Sequence, residues 1–201
     1  MKEFLFLGDS ITDCDHSFDP QNLGEGYVRI LAKELGYFDG ITKIRNMGVD
    51  GFTISALIRL WNLRCKAIAP DFITILIGIN DIALMKHTGE ESFTALESFR
   101  QKYEALIEQI RQDTNCPIIL MEPFIFPYPA EFQTWEADVL EMNTIIQQMA
   151  KKHGLTFVPL WDKLLETART EGYDAITTDG VHLTPKGHHI LADAWMKCCV
   201  K

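Results

Sequence analysis

Ser10 stands just past a short apolar run in "FLFLGDSITD" (residues 4–13), where a buried strand would end at Gly8. Far along the chain, "TTDGVHLTPKGHH" (177–189) sets Asp179 three residues before His182. Between them lie "RNMGVDGFT" (45–53), with Asn46, Gly48 and Gly51, and "IGIND" (77–81), with Gly78, Asn80 and Asp81. These residue types share one chemistry. A serine hydroxyl attacks a carbonyl once an imidazole takes its proton, and a carboxylate orients the imidazole and stabilises its charged form. Nearby N–H groups hold the oxyanion that develops. In this reading Ser10 is the nucleophile, His182 the base and Asp179 its partner. The N–H groups of Ser10 and Gly48 and the Asn80 amide are the oxyanion donors, and no cofactor is required. The spacing predicts Asp179 and His182 on one face of a helical turn. Serine is also a favoured helix N-cap, so position alone leaves Ser10 as nucleophile or cap.

These residues need elements that bring them together. Apolar runs predict strands at Glu3–Leu7, Ile41–Arg45, Phe72–Ile77, Ile118–Met121 and Leu155–Val158. Helical periodicity fills residues 26–36, ended by Gly36, and 53–68, opened by a Thr53 cap. It continues over 91–113 and 136–153, and the last helix starts from a Thr184 cap with Pro185 in its first position. Alternating strands and helices imply an α/β fold, a three-layer α/β/α sandwich around a five-stranded parallel sheet. The flavodoxin-like order 2-1-3-4-5 is expected, in one domain spanning residues 1–201. That order makes strands 2, 1 and 3 neighbours, so Gly48, Ser10 and Asn80 meet at one end of the sheet. Segments 11–25, 79–90, 122–135 and 172–183 read as irregular and gather around the same crevice.

The 201 residues are 47% hydrophobic and 23% charged, ordinary for a globular protein, with a net charge of −9. That balance argues against a nucleic-acid partner, which requires a basic face, and against an anionic membrane surface. "MKEFLFLGDS" places Glu3 directly after Lys2 and carries too short an apolar run for a signal peptide, so a cytoplasmic location is expected. No segment has the ~18–20 apolar residues of a membrane helix. Five cysteines, an odd number without a C-x-x-C, suggest reduced thiols.

Other residues carry competing readings. Asp9 braces the turn before Ser10 or takes a direct role. Asp9, Asp13, Asp15 and His16 could ligate a divalent ion, the basis of a phosphohydrolase alternative, but no further carboxylate cluster completes a shell. The reading adopted has no metal. His188 and His189 read as surface or packing groups. Phe99, Tyr103 and Trp195 sit at core spacing on helices. Ile79, Phe124, Phe126, Tyr128 and Trp135 are the candidate substrate wall. Aromatic faces suit sugar stacking, and the 122–135 segment suits a contact between copies of the chain equally well.

The four blocks Gly8-Asp9-Ser10, Gly48, Gly78-Ile79-Asn80-Asp81 and Asp179-Gly180-Val181-His182 resemble those of the SGNH/GDSL hydrolases across nearly the whole chain. The chain has no G-x-S-x-G elbow. "GDSITDC", "LGEGYV", "VDGFTISALIRLW", "IGIND" and "IILMEPF" look like the small bacterial acetylxylan esterases and related sugar O-acetyl esterases of that family. The resemblance implies a serine esterase that removes a short acyl group, acetyl above all, from a small ester such as an acetylated sugar. Alternatives are an acyl-thioesterase or lysophospholipase with the same mechanism, and a sugar-binding module with a dead site.

Overall fold

The computed structural model describes residues 1–200. Five strands form one sheet in the order β2-β1-β3-β4-β5: β1 (Lys2–Gly8), β2 (Thr42–Gly48), β3 (Phe72–Leu76), β4 (Ile118–Met121) and β5 (Thr156–Val158). Every pairing is parallel. Residues Phe4–Leu7 of β1 are all buried, as a central strand covered on both faces requires. Gly8 pairs with Gly48 on one side and Leu76 on the other. The strand ends therefore deliver Ser10, the turn after Gly48 and the segment from Gly78 to one place.

Eight α-helices surround the sheet: α1 (Ser10–Asp13), α2 (Tyr27–Glu34), α3 (Ile54–Leu60), α4 (Ile79–Thr88), α5 (Ser92–Asp113), α6 (Glu136–His153), α7 (Trp161–Glu171) and α8 (Pro185–Cys199). α8 packs against α2 and α7 on one face, while α3, α4, α5 and α6 pack together on the other. On α5, Leu96, Phe99, Tyr103, Leu106, Ile107 and Ile110 form the buried stripe that its periodicity predicts. Trp195 of α8 meets Phe4 and Phe6 and donates its indole N–H to Thr74 Oγ1 at 3.0 Å. Thr184 caps α8, accepting from Gly187 N–H at 3.3 Å. Among the described residues no helix is long and apolar enough to cross a membrane.

The structure corrects several element boundaries. β2 runs on to Gly48, beyond the expected Arg45. Most of 79–90 is helix α4, bracketed by Gly78 and Gly89 and poor in polar contrast around its circumference. α7 has no counterpart in the sequence reading. Thr53 makes no capping bond. Instead the Asp81 carboxylate, reaching from α4, accepts the Ile54 N–H of α3 at 3.0 Å.

One buried side chain ties β2 to the start of the chain. The Asn46 amide donates to the carbonyls of Thr12 (2.6 Å), Leu23 (2.8 Å) and Asp13 (3.2 Å), and its oxygen accepts Gly48 N–H at 2.9 Å. Asn46→Ala leaves these groups without their partner. We expect it to lower stability by about 2–4 kcal/mol in urea unfolding, since a stranded buried polar group costs ~1–3 kcal/mol. A loss under ~0.5 kcal/mol would show that the tether contributes little.

Candidate active site

The chain leaves β1 at Gly8, turns at Asp9 and enters α1, a helix of four residues. Asp9 is the cap: its Oδ1 accepts the Ile11 N–H at 3.1 Å. Ser10 is the first helical residue, so the cap reading passes from Ser10 to its neighbour and the Ser10 hydroxyl is left for another partner. Gly8 lets α1 sit this close, because a Cβ there would lie 2.2 Å from Thr12 Oγ1 and 2.6 Å from the Leu76 carbonyl. α1 ends in two consecutive left-handed residues, Cys14 (φ 42°) and Asp15 (φ 60°), which bend the chain away.

His182 Nε2 lies 2.9 Å from Ser10 Oγ, and His182 Nδ1 lies 2.6 Å from Asp179 Oδ2. The spacing predicts Asp179 and His182 on a helical turn; the structure places them on a loop before α8. Their orientation comes instead from the other carboxylate oxygen, Oδ1, which accepts the N–H groups of Val181 (2.9 Å) and His182 (2.7 Å). The Thr177 hydroxyl donates to the His182 carbonyl at 2.7 Å and accepts Gly180 N–H at 2.8 Å. Gly180 has φ +95°, and a Cβ there would lie 1.9 Å from the Tyr128 carbonyl. Burial would raise the Asp179 pKa, but hydrogen bonds from the His182 ring and from the His182 and Val181 N–H groups outweigh it and hold this carboxyl below its usual range. Asp179 is thus ionised wherever an imidazole needs a counter-charge.

Asn80 sits in the first turn of α4, and its Nδ2 donates to the Phe52 carbonyl at 3.0 Å. That bond uses one amide hydrogen and leaves the second for the cleft. Gly48 does not serve as expected. Its N–H is spent on Asn46 Oδ1, and the glycine faces the back of α1, where a Cβ would lie 2.3 Å from the Asp13 nitrogen. Three residues on, Gly51 (φ +71°) has open space where a Cβ would stand and lines a cavity together with Asn80. Among the described residues neither Ser10 N–H nor Gly51 N–H is bonded within the protein. The Asp50-Gly51 pair is a turn dipeptide, the signal that would have pointed to it.

Two cavities meet at Ser10 and His182. One, of about 450 Å³, is lined by Ile79, Asn80, Ala83, Phe132, Trp135 and Val181. It shares Asn80, Ala83 and Trp135 with a recess of about 600 Å³ that reaches Leu84 and His87. The other, of about 290 Å³, is lined by Ile11, Asp13, Cys14, Asp15, Leu183 and His188. Asp50 borders both. Of the candidate wall residues, Ile79 and Trp135 line the first cavity. Phe124 and Phe126 do not: both are buried in the core, packed edge-on against each other. Tyr128 is exposed and stacks on Tyr173. Phe132, packed on Trp135 at 4.7 Å between ring centroids, supplies the aromatic surface instead.

Asp9, Asp13, Asp15 and His16 do not converge on a common point. Asp13 Oδ1 meets His16 Nδ1 at 2.7 Å, its Oδ2 accepts Asp50 N–H at 3.0 Å, and Asp9 is turned inward as the cap. Among the described residues no group of three or more His, Cys, Asp or Glu is arranged to share an ion.

The sequence profile of the GDSL-like lipase/acylhydrolase family matches residues 6–190. The chain is 28% identical over 207 residues to the acetylxylan esterase of Geobacillus stearothermophilus, covering 98% of this chain and 93% of that protein. It is 25% identical over 208 residues to the human isoamyl acetate-hydrolyzing esterase 1 homolog, covering 93% and 77%. Among solved structures, a putative GDSL-like lipase from Parabacteroides merdae superposes with a TM-score of 0.88 at 27% identity, covering 98% and 94%. The Geobacillus acetylxylan esterase superposes with a TM-score of 0.84 at 27% identity, covering 98% and 93%.

Asp9 is 1% exposed, and burial pushes its pKa from 3.8 to about 7. A carboxyl whose folded pKa is raised contributes stability that is fully present below about pH 4 and is lost as pH rises through about 7. Asp9→Asn keeps the capping oxygen and removes the charge. We expect it to exceed wild type in stability at pH 8 by on the order of 2–4 kcal/mol, with the gap closing towards pH 4. A pH-independent difference would refute the assignment.

Proposed function

We propose that this chain, which belongs to the GDSL-like lipase/acylhydrolase family and is a carboxylic ester hydrolase, removes short acyl groups, acetyl above all, from a hydroxylated substrate of the carbohydrate class. One continuous hydrogen-bonded line carries this reading: Ser10 Oγ to His182 Nε2 at 2.9 Å, and His182 Nδ1 to Asp179 at 2.6 Å. Ser10 attacks the acyl carbon while His182 Nε2 takes its proton. Asp179 holds the Nδ1–H and so fixes the tautomer that leaves Nε2 free to accept. In this reading the oxyanion is held by Ser10 N–H, Gly51 N–H and the free Asn80 amide hydrogen. His182 then protonates the leaving alcohol, and water, activated in the same way, releases the acid. The described residues act as one catalytic domain.

The chemistry of the ester is supported from two sides. Both named relatives are described by acetyl esters, one of xylan and one of isoamyl alcohol. They differ in the alcohol and agree on the acyl group. Ile79, Ala83 and Val181 beside Ser10 form an apolar wall against which a methyl group is buried. One observation favours a longer acyl chain: the recess past Trp135 leads to Leu84, an exposed apolar residue. In a groove of that kind each buried CH₂ would gain ~0.8 kcal/mol.

The two readings separate by chain length. We expect 4-nitrophenyl acetate to exceed 4-nitrophenyl octanoate in kcat/KM by at least ~10-fold, which needs about 1.4 kcal/mol of steric cost. Acetylated xylo-oligosaccharide should release acetate. Faster octanoate turnover would replace the carbohydrate reading with the lipid or thioester one. Ser10→Ala should fold normally and lose nearly all activity, and an organophosphate should label Ser10 once per chain; labelling elsewhere would discard the mechanism.

Asn80→Ala should lower kcat about 10²–10³-fold, the usual cost of one oxyanion donor. KM should change little, because the bond strengthens in the transition state. A variant with normal kcat and raised KM would assign Asn80 to ground-state binding alone.

A further inference from the structure

The cavity bounded by Cys14, Asp15, Asp50 and His188 takes no part in the chemistry above, yet it opens on the same Ser10–His182 pair. Its walls differ from those of the neighbouring cavity. Asp13 is taken up by His16 and Asp50 N–H, while Asp15 and Asp50 are exposed residues whose carboxylates accept no hydrogen bond among the described residues and so remain available at the cavity mouth. The remaining polar wall is His188, which is 93% buried by its 7% exposure. Tyr27 N–H donates to its Nδ1 at 3.2 Å, so the neutral ring carries its proton on Nε2. Burial, then His182 and His189, push His188 down to about 4, which keeps it neutral at working pH. The Nε2–H meets only the sulfur of Cys14, at 3.5 Å, a weak acceptor. A buried N–H donor with only a weak sulfur partner on a cavity wall has hydrogen-bonding capacity to offer a ligand oxygen. The position is built: Gly26 makes room for it, since a Cβ there would lie 2.4 Å from Cys14 Sγ and 3.0 Å from the His188 ring.

We propose that this cavity is the subsite for the alcohol half of the ester and that it selects a neutral polyol, with Asp15 and Asp50 accepting hydroxyl protons and His188 Nε2–H donating to a hydroxyl oxygen. The inference rests on the esterase reading above and adds where, and by which groups, the alcohol is held. Asn80 and Gly51 stand on the other side of Ser10, with the apolar wall of Ile79, Ala83 and Val181. Asp50, Glu131 and Asp179 border that cavity too, but the acyl methyl belongs against its apolar wall, because an apolar group set where no such wall stands would desolvate carboxylates without compensation. At about 290 Å³ the polar cavity has room for one sugar unit. The formal charges on its wall are carboxylates, so an acidic sugar is disfavoured.

The test uses the Asp15→Asn, Asp50→Asn double variant of the full chain. Asparagine tolerates the left-handed backbone of residue 15 and keeps the shape of both side chains. The readout is a ratio: kcat/KM for acetylated xylo-oligosaccharide, and separately for glycerol monoacetate, each over that for 4-nitrophenyl acetate. We expect both ratios to fall at least tenfold, chiefly through KM. Unchanged ratios overturn the proposal, as does a fall produced by Trp135→Ala and not by the double variant. If wild type cleaves glycerol monoacetate but no acetylated sugar, and the glycerol ratio falls in the variant, the carbohydrate reading fails while the polyol subsite stands. If wild type cleaves acetylated sugar and neither ratio moves, the esterase reading stands and the subsite is wrong.

Discussion

A helix of four residues cannot hold itself together, because nucleation costs more than its few hydrogen bonds return. The placement of Ser10 therefore depends on what grips α1 from outside, and that is the Asn46 amide. It gathers the carbonyls of Thr12, Asp13 and Leu23, which the helix end and the following loop would otherwise leave open. Because Asn46 is itself a β2 residue paired with Phe6 of β1, α1 inherits the rigidity of the sheet. The same side chain accepts Gly48 N–H, so the strand that anchors α1 gives up its own last donor to do so. In the proposed chemistry the oxyanion role then falls to Gly51, where the chain has turned out of the sheet.

Burial divides the aspartates at this end of the sheet. Asp9 and Asp81 are enclosed, each with a single backbone N–H on its carboxylate, and burial pushes both up to about 7. Asp179 is half exposed, holds three hydrogen bonds and stays ionised. The division suits the proposed chemistry. With burial holding it near 7, Asp9 carries only part of its charge at neutral pH and opposes the developing oxyanion less than an ordinary aspartate beside Ser10 would. The charge is needed instead on the far side of His182, where it stabilises the imidazolium.

Much of this arrangement was legible in the sequence because its signals are local. Apolar runs located the five strands, Thr184-Pro185 located the start of α8, alternation implied a parallel sheet, and the flavodoxin-like order expected for it is the order found. Ser10, Asn80, Asp179 and His182 stood out as residue types with one shared chemistry. What failed depended on partners distant in sequence. Gly48 reads like an oxyanion glycine until Asn46 is seen to take its N–H. Phe124 and Phe126 look like a substrate wall, but both are drawn into the core. α4 lacks a polar face because α5 and α6 pack against it and it borders the cleft, so periodicity had little to detect.

The segment from 122 to 135 does matter to the site, though through its backbone more than its first aromatics. Phe126 N–H donates to the Gly180 carbonyl at 2.9 Å, and the Tyr128 carbonyl occupies the space that a Cβ at Gly180 would need. The Phe132 ring lies under the same glycine, 2.8 Å from where that Cβ would be. The loop that carries Asp179 and His182 is thus seated on the segment that supplies Phe132 and Trp135 to the cleft. Lys86 of α4 closes the other side, donating to the Thr134 carbonyl at 3.0 Å and pairing with Asp138 at 2.5 Å. Asn80 lies on that same α4. The base, the aromatic wall and the amide donor are therefore joined through one stretch of chain. A shift of that stretch displaces all three together, which couples the shape of the acyl cavity to the alignment of the catalytic groups.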